Sequence, residues 1–84
     1  MRRPVSRLVN RPIQVHGLCG EIPQVFRDGG KWHRVDCVID RWIEMGDWWA
    51  DQGPRVVVRV LTEDQALFDL EFVDERWFIY RVWD

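Results

Sequence analysis

RVVVRVLTEDQALFDLEFVDERWFIYRVW, residues 55–83, is the stretch that decides the fold. At its centre, residues 68–72 (FDLEF) alternate aromatic or aliphatic side chains with acids, which is the pattern of a strand with one buried and one solvated face. The valine-rich residues 55–61 precede this strand, and residues 76–83 follow it with apolar side chains on both faces. The links between the three segments are short and polar, so they predict two hairpins, the first of which would bring Arg59 opposite the acidic face of residues 68–72.

The first half of the chain predicts further short strands. Residues 12–16 read as one strand, and residues 24–27 and 31–39 read as a hairpin around the pair Gly29-Gly30, which supplies the positive φ of a tight turn. Residues 41–50 carry several tryptophans between weak helical and strand signals, and we interpret them as a loop.

These elements predict an all-β fold of five to six strands, a small antiparallel β-roll or a partly open SH3-like barrel. No long helix is predicted that would connect parallel strands. A chain of 84 residues is expected to form one domain, residues 1–84, and six tryptophans are expected to supply much of its small core. Residues 1–11 are expected to be a basic leader that need not be ordered.

Charge and composition exclude several classes of protein. The net charge is −2, distributed as eight basic and four acidic residues in positions 1–41 and four basic and ten acidic residues in positions 42–84. No apolar run approaches the roughly 18 residues that cross a bilayer, and no secretory leader is recognised. We therefore expect a cytoplasmic protein without a membrane segment, in which Cys19 and Cys37 are free thiols.

Catalytic and metal-binding patterns are weak. The serine Ser6 lies in the basic leader, away from both histidines, so no nucleophile with its base is recognised and we expect no enzyme and no cofactor. Four potential zinc ligands are present, but their spacing is not that of a finger or ribbon, and we predict no metal site. We expect Cys37 to be a core residue between two aliphatic neighbours. The four potential ligands are His16, Cys19, His33 and Cys37.

Two groups of residues are candidates for binding a partner. Trp42, Trp48 and Trp49 lie among acids that include Asp47, and tryptophans with an acidic rim are typical of protein interfaces. The alternative interpretation is that these rings cover the open end of the barrel.

The second group interleaves aromatic and basic residues, as single-stranded nucleic-acid sites do. It consists of Lys31, Trp32, Arg34 and Arg41. The negative net charge argues against a non-specific nucleic-acid binder, so a nucleic-acid partner is the alternative to a protein partner.

A series of motifs along nearly the whole chain resembles a bacterial family of unknown function. Related segments occur at the C-terminal end of ImuB-like proteins, which are catalytically inactive relatives of Y-family translesion DNA polymerases. The motifs are PIQV (12–15), P-x-x-F (23–26), KWHRV (31–35), D-R-W (40–42), G-D-W-W (46–49), R-x-x-x-R-V (55–60) and W-x-x-x-R-V-W-D (77–84).

The resemblance implies an accessory module for error-prone repair synthesis that recruits a protein partner or touches DNA and has no active site. Trp42, Trp48, Trp49 and Trp77 match the recurring positions of the family. Together with the residue patterns, it predicts a non-catalytic protein-interaction module, with a single-stranded nucleic-acid-binding module as the alternative.

Overall fold

The computed structural model describes residues 6–19, 22–45 and 54–83. Among them there is no helix that could span a bilayer. The described residues form seven strands: β1 (Ser6–Pro12), β2 (Gln14–Cys19), β3 (Ile22–Asp28), β4 (Lys31–Met45), β5 (Pro54–Thr62), β6 (Leu67–Val73) and β7 (Arg76–Trp83).

The strands form one antiparallel sheet in the order β1-β7-β6-β5-β4-β3-β2, curled into a half-barrel. The predicted all-β class is confirmed, with more strands than expected. The additional strand comes from the basic leader, since Ser6–Pro12 pairs with β7. Strand β7 therefore has a neighbouring strand on each side, in agreement with its sequence, which is apolar on both faces.

The three predicted hairpins are present, and β6 and β7 form one of them. Strands β5 and β6 pair with Arg59 opposite Asp69, as expected. Strands β3 and β4 join through Gly29 and Gly30, whose φ angles of 58° and 87° are the left-handed conformation that glycine adopts most easily.

Strand β4 is long and bent. Its first four residues pair with β3, and its remainder from Val35 onward pairs with β5. The register shifts between Val35 and Cys37 and again between Val38 and Asp40, and such bulges bend a strand and change which face a side chain occupies. The prediction that Cys37 is a core residue was wrong, because the first bulge moves it to the solvent, where it is a free and exposed thiol.

The bend closes the core. Phe26 from β3 and His33 from β4 both pack on Phe68 from β6, with ring centroids 5.2 and 5.0 Å apart, so the β3–β4 hairpin lies over the concave face of β5, β6 and β7. The core cluster consists of Phe26, Val58, Val60, Phe68, Leu70, Trp77 and Ile79. Aliphatic residues thus fill much of the core, and of the described tryptophans only Trp77 belongs to this cluster.

The N-terminal strands connect the two ends of the sheet. Between β1 and β2 stands one residue, Ile13, whose backbone N–H donates to the Trp77 carbonyl at 3.1 Å. Beside this crossing, Arg11 on β1 forms an ion pair with Asp28 on β3 at 2.8 Å. Within a few residues the chain therefore passes from β1, which lies beside β7, to β2, which lies beside β3. This short crossing holds the half-barrel curled.

Candidate protein-interaction site

Strand β4 has an edge that the described strands leave uncovered. Residues 37–45, hereafter the β4 edge, pair with β5 on one side, whereas β3 pairs with β4 only as far as Arg34. Among the described residues, no strand pairs with the other side of residues 37–45. The edge therefore presents backbone N–H and C=O groups that another strand could bond.

The β4 edge is also apolar. Among the described residues, seven large hydrophobic side chains are exposed, and four of them lie on the β4 edge. Ile43 and Met45 are the most exposed of all, at 66% and 76%. Scattered apolar side chains are ordinary on a protein surface, but a concentration on one strand indicates an interaction site. The exposed apolar residues of β4 are Trp32, Val38, Ile39, Ile43 and Met45.

Trp42 lies in strand β4 and not in a loop. The prediction that residues 41–50 form a loop was wrong as far as Met45, because β5 supplies pairing partners through Met45. Trp42 is half-buried on the convex face, where its indole N–H donates to Glu44 at 3.0 Å and its ring lies 5.1 Å from the Arg59 guanidinium. It therefore acts here as a packing group behind the edge.

The convex face behind the β4 edge is covered by a layer of interleaved arginine and aromatic side chains, which we call the arginine–aromatic layer. Arg59 lies between Trp42 and Trp83, and its guanidinium carbon is 4.7 Å from the centroid of the Trp83 ring. Arg55 stacks on Tyr80 at 4.7 Å. Such cation–π contacts are stronger when water is excluded. The layer consists of Trp42, Arg55, Arg59, Tyr80, Arg81 and Trp83.

Two carboxylates are buried beneath this layer. Asp69 is 1% exposed and accepts two hydrogen bonds from Arg59, with Nε at 2.8 Å from Oδ1. Glu71 is 4% exposed and faces Arg55 Nε at 3.4 Å. Burial raises the pKa of Glu71, which Arg55 partly opposes, whereas hydrogen bonds from Trp42 and Arg55 lower the pKa of Glu44.

Two arginines of the layer are paired with acids. Arg55 and Arg59 form ion pairs with the carboxylates of Glu44, Asp69 and Glu71. These ion pairs join β4, β5 and β6 behind the β4 edge.

The remaining predicted interface residues, Asp47, Trp48 and Trp49, lie outside the described residues. They belong to the connection that leaves β4 at Met45 and enters β5 at Pro54. The structure therefore places Trp42 at the β4 edge and does not describe the other three.

The residues of the predicted nucleic-acid site are separated. Trp32 and Arg34 share one face of β4, while Lys31 points to the other and pairs with Asp64 at 3.2 Å. Arg41 lies beyond both bulges, on the β4 edge.

Trp32 instead contacts two residues that the predicted nucleic-acid site did not include, His16 and Arg27. His16 lies 5.1 Å from the Trp32 ring, and the Arg27 guanidinium lies 6.0 Å from it. We call this surface the Trp32 face. The predicted hairpin around Gly29-Gly30 was a signal that could have found Arg27, because it pairs Arg27 directly with Trp32.

A buried histidine adjoins an acid and a hydroxyl in the turn between β5 and β6. The Asp64 carboxylate accepts from the Thr62 hydroxyl and lies 3.3 Å from His33 Nδ1. The Thr62 hydroxyl also receives the Ala66 N–H at 3.1 Å. Because the hydroxyl bonds Asp64 and the turn backbone, and His33 is packed between Phe26 and Phe68, this group is a turn-stabilising cluster.

The potential zinc ligands do not converge in the described part of the chain. His33 is buried in the core, while His16 and Cys37 are exposed on different strands. No group of three or more His, Cys, Asp or Glu side chains among the described residues could hold a metal ion.

Comparison of the chain with protein-family models, curated proteins and solved structures gives no match. The resemblance to the C-terminal segment of ImuB-like proteins stays a prediction. What the fold and the site define is a curled antiparallel sheet with one apolar strand edge.

Proposed function

We propose that this protein is a non-catalytic protein-interaction module whose partner docks at the β4 edge. The observation that carries the proposal is the concentration of exposed apolar side chains on a strand that lacks a described neighbour on one side. Interfaces bury apolar side chains at their centre and keep charged residues at the rim. Ile43 and Met45 supply such a centre, and Asp40 and Glu44 supply the charged rim.

The arginine–aromatic layer supports this function. A docking strand is effective when it is held in place before the partner arrives, because ordering it on binding costs affinity. Arg55 and Arg59 join β4, β5 and β6 through ion pairs to Glu44 and Asp69. We include Trp48 and Trp49, with Asp47, in the proposed interface because they directly continue the chain from Met45.

A matched pair of variants tests the proposal. Ile43→Thr with Met45→Thr should abolish capture of the partner from a lysate, while Leu8→Thr with Leu18→Thr, which changes equally exposed side chains on β1 and β2, should preserve it. A third variant, Trp48→Ala with Trp49→Ala, reports on the adjoining connection. Circular dichroism should show that all three variants remain folded. Equal capture by the β4-edge variant and the control would disprove the proposal.

A second candidate function, binding of single-stranded nucleic acid, is favoured by the Trp32 face. Trp32 is 43% exposed and is flanked by His16, Arg27 and Arg34, all exposed. Unlike the arginine–aromatic layer, this face has cations that stand beside an accessible ring, as base stacking with phosphate contact requires.

Fluorescence titration with a single-stranded oligonucleotide tests this second candidate. Binding through the Trp32 face should weaken steeply between about 50 and 200 mM salt and should be lost in Trp32→Ala. Arg76→Ala, a change at an exposed arginine at the start of β7, serves as the control. Binding that Trp32→Ala leaves unchanged would exclude the Trp32 face.

An accessory role in DNA repair synthesis and a cytoplasmic location belong to the same proposal. The first rests on the family resemblance. The second is supported by Cys37, whose free and exposed thiol suits a reducing compartment.

A further inference from the structure

The backbone of the β4 edge has a defined direction. The N–H of Arg41 donates to the Asp40 carboxylate at 2.8 Å. Met45 pairs with Pro54, which has no N–H and so cannot donate to the Met45 carbonyl. Both observations indicate that the backbone N–H and C=O groups of the odd-numbered residues of the β4 edge point away from β5. Because the direction alternates along a strand, the N–H and C=O groups of Ile43 and Met45 point out of the sheet edge.

The other two edges of the sheet are interrupted. Strand β1 has a register shift between Leu8 and Arg11, with Asn10 at a φ of 50°, and β2 contains Gly17 at a φ of 63°. Irregularities of this kind twist an edge away from a second strand and prevent association. From Asp40 to Met45, β4 keeps an unbroken register with β5, so it is the regular edge among the described strands.

Side chains on the β4 edge differ between the two faces. Ile43 and Met45 project on the concave side, where they are exposed. Asp40, Trp42 and Glu44 project on the convex side. The Glu44 carboxylate is half-buried and bonded to Trp42 and Arg55, whereas the Asp40 carboxylate accepts the Arg41 backbone N–H and is exposed, so it places negative charge at the edge.

Charge argues against a second copy of this chain as the occupant. Antiparallel pairing of two β4 edges about Trp42 would set Asp40 of each copy opposite Glu44 of the other, and pairing about Arg41 would set two Arg41 side chains opposite each other. Like charges directly opposite are destabilising. Pairing about Ile43 sets no like charges opposite each other, and sedimentation of the free chain distinguishes such a dimer from binding of another protein.

We propose that the β4 edge binds an extended segment of another protein as an additional strand, with aliphatic residues meeting Ile43 and Met45 and a lysine or arginine opposite Asp40. Main-chain hydrogen bonds to Ile43 and Met45 supply affinity, and the basic residue sets the register. This inference rests on the proposed interaction function and specifies the chemistry of its partner.

The test selects ligands without assuming their sequence. The probe is a random decapeptide library displayed on phage and selected against the full chain. We expect selected peptides that alternate aliphatic residues and contain a basic residue. Bound peptide should slow amide hydrogen exchange at Ile43 and Met45 by at least about tenfold, because those N–H groups become bonded. Asp40→Lys should weaken binding by about tenfold, whereas Glu63→Lys, the same charge change at an exposed acid in the β5–β6 turn, should not.

Each result separates this inference from the broader function. Selection of no peptide, or of peptides that leave the Ile43 and Met45 amides exchanging freely, would overturn strand addition. The interaction function would survive if a protein partner were still captured through Trp48 and Trp49. Sedimentation of the free chain should show a monomer, and a dimer that protects the same amides would overturn the proposal in favour of a second copy. Oligonucleotide binding at the β4 edge would also overturn it.

Discussion

Arg59 on β5 holds the buried carboxylate of Asp69 on β6 through two hydrogen bonds, with Nε 2.8 Å from Oδ1 and Nη2 3.3 Å from Oδ2. The same guanidinium lies between the rings of Trp42 and Trp83. One side chain therefore neutralises a buried acid and joins two aromatic groups from the second half of β4 and from β7.

Replacing Arg59 should be costly. Asp69 is 1% exposed in the native structure, so Arg59→Ala leaves a buried carboxylate without its cation. Breaking such a pair lowers the free energy of unfolding by roughly 2–4 kcal/mol. Urea denaturation measures the loss. Arg34→Ala, at an exposed arginine, should stay within about 0.5 kcal/mol. Similar losses of stability in Arg59→Ala and Arg34→Ala would contradict the role of Arg59 as the partner of the buried Asp69 carboxylate.

Glu71→Gln should change how the stability of the protein depends on pH. Burial raises the pKa of Glu71 above its ordinary 4.5, so the folded state disfavours the ionised form and loses stability as pH rises through that raised pKa. Glutamine does not titrate. The stability of Glu71→Gln relative to the native protein should therefore increase between pH 4 and pH 7, as measured by urea midpoints. A relative decrease over that range would show that the ion pair with Arg55 dominates.

Asp64 should produce the opposite pH dependence. The Thr62 hydroxyl, followed by Lys31 and His33, holds the pKa of Asp64 well below its ordinary 3.8. The stability that Asp64 contributes is therefore present above pH 3.8 and lost as pH falls below it. Asp64→Asn should be less stable at pH 6 and should lose less stability than the native protein between pH 5 and pH 2. Parallel urea midpoints for both proteins would disprove this role.

Gly17→Ala should destabilise through the backbone. Gly17 has a φ of 63°, which costs an alanine about 1 kcal/mol, while the added Cβ would meet only the flexible end of the Gln24 side chain. The loss should persist in a Gln24→Ala background, because the cost arises from φ and not from the contact. If Gln24→Ala restored full stability, the contact would be the cause.

Sequence periodicity was sufficient for the strands of the second half. The alternation around Asp69 and Glu71 predicted β6, its hairpin with β5 and the position of Arg59 opposite the acidic face of β6, because these depend on neighbours close in the chain. The Gly29-Gly30 turn was predicted for the same reason.

The candidate site was predicted only in part. Trp42 as a partner-binding residue stays a prediction, and its place in a strand was missed because residues 41–45 are strand only through pairing with β5. Arg27 and His16 were missed beside Trp32 because their contacts cross between strands.

By itself the sequence determined the all-β class, the hairpins and the alternation of buried and solvated residues, since each follows from side-chain chemistry over a few neighbouring positions. The tertiary structure alone decided where β4 bends, that Cys37 and Ile43 are exposed, and that arginine and aromatic side chains from three strands cover two buried acids. Those features depend on bulges and on contacts between residues distant in the chain, which local periodicity does not encode.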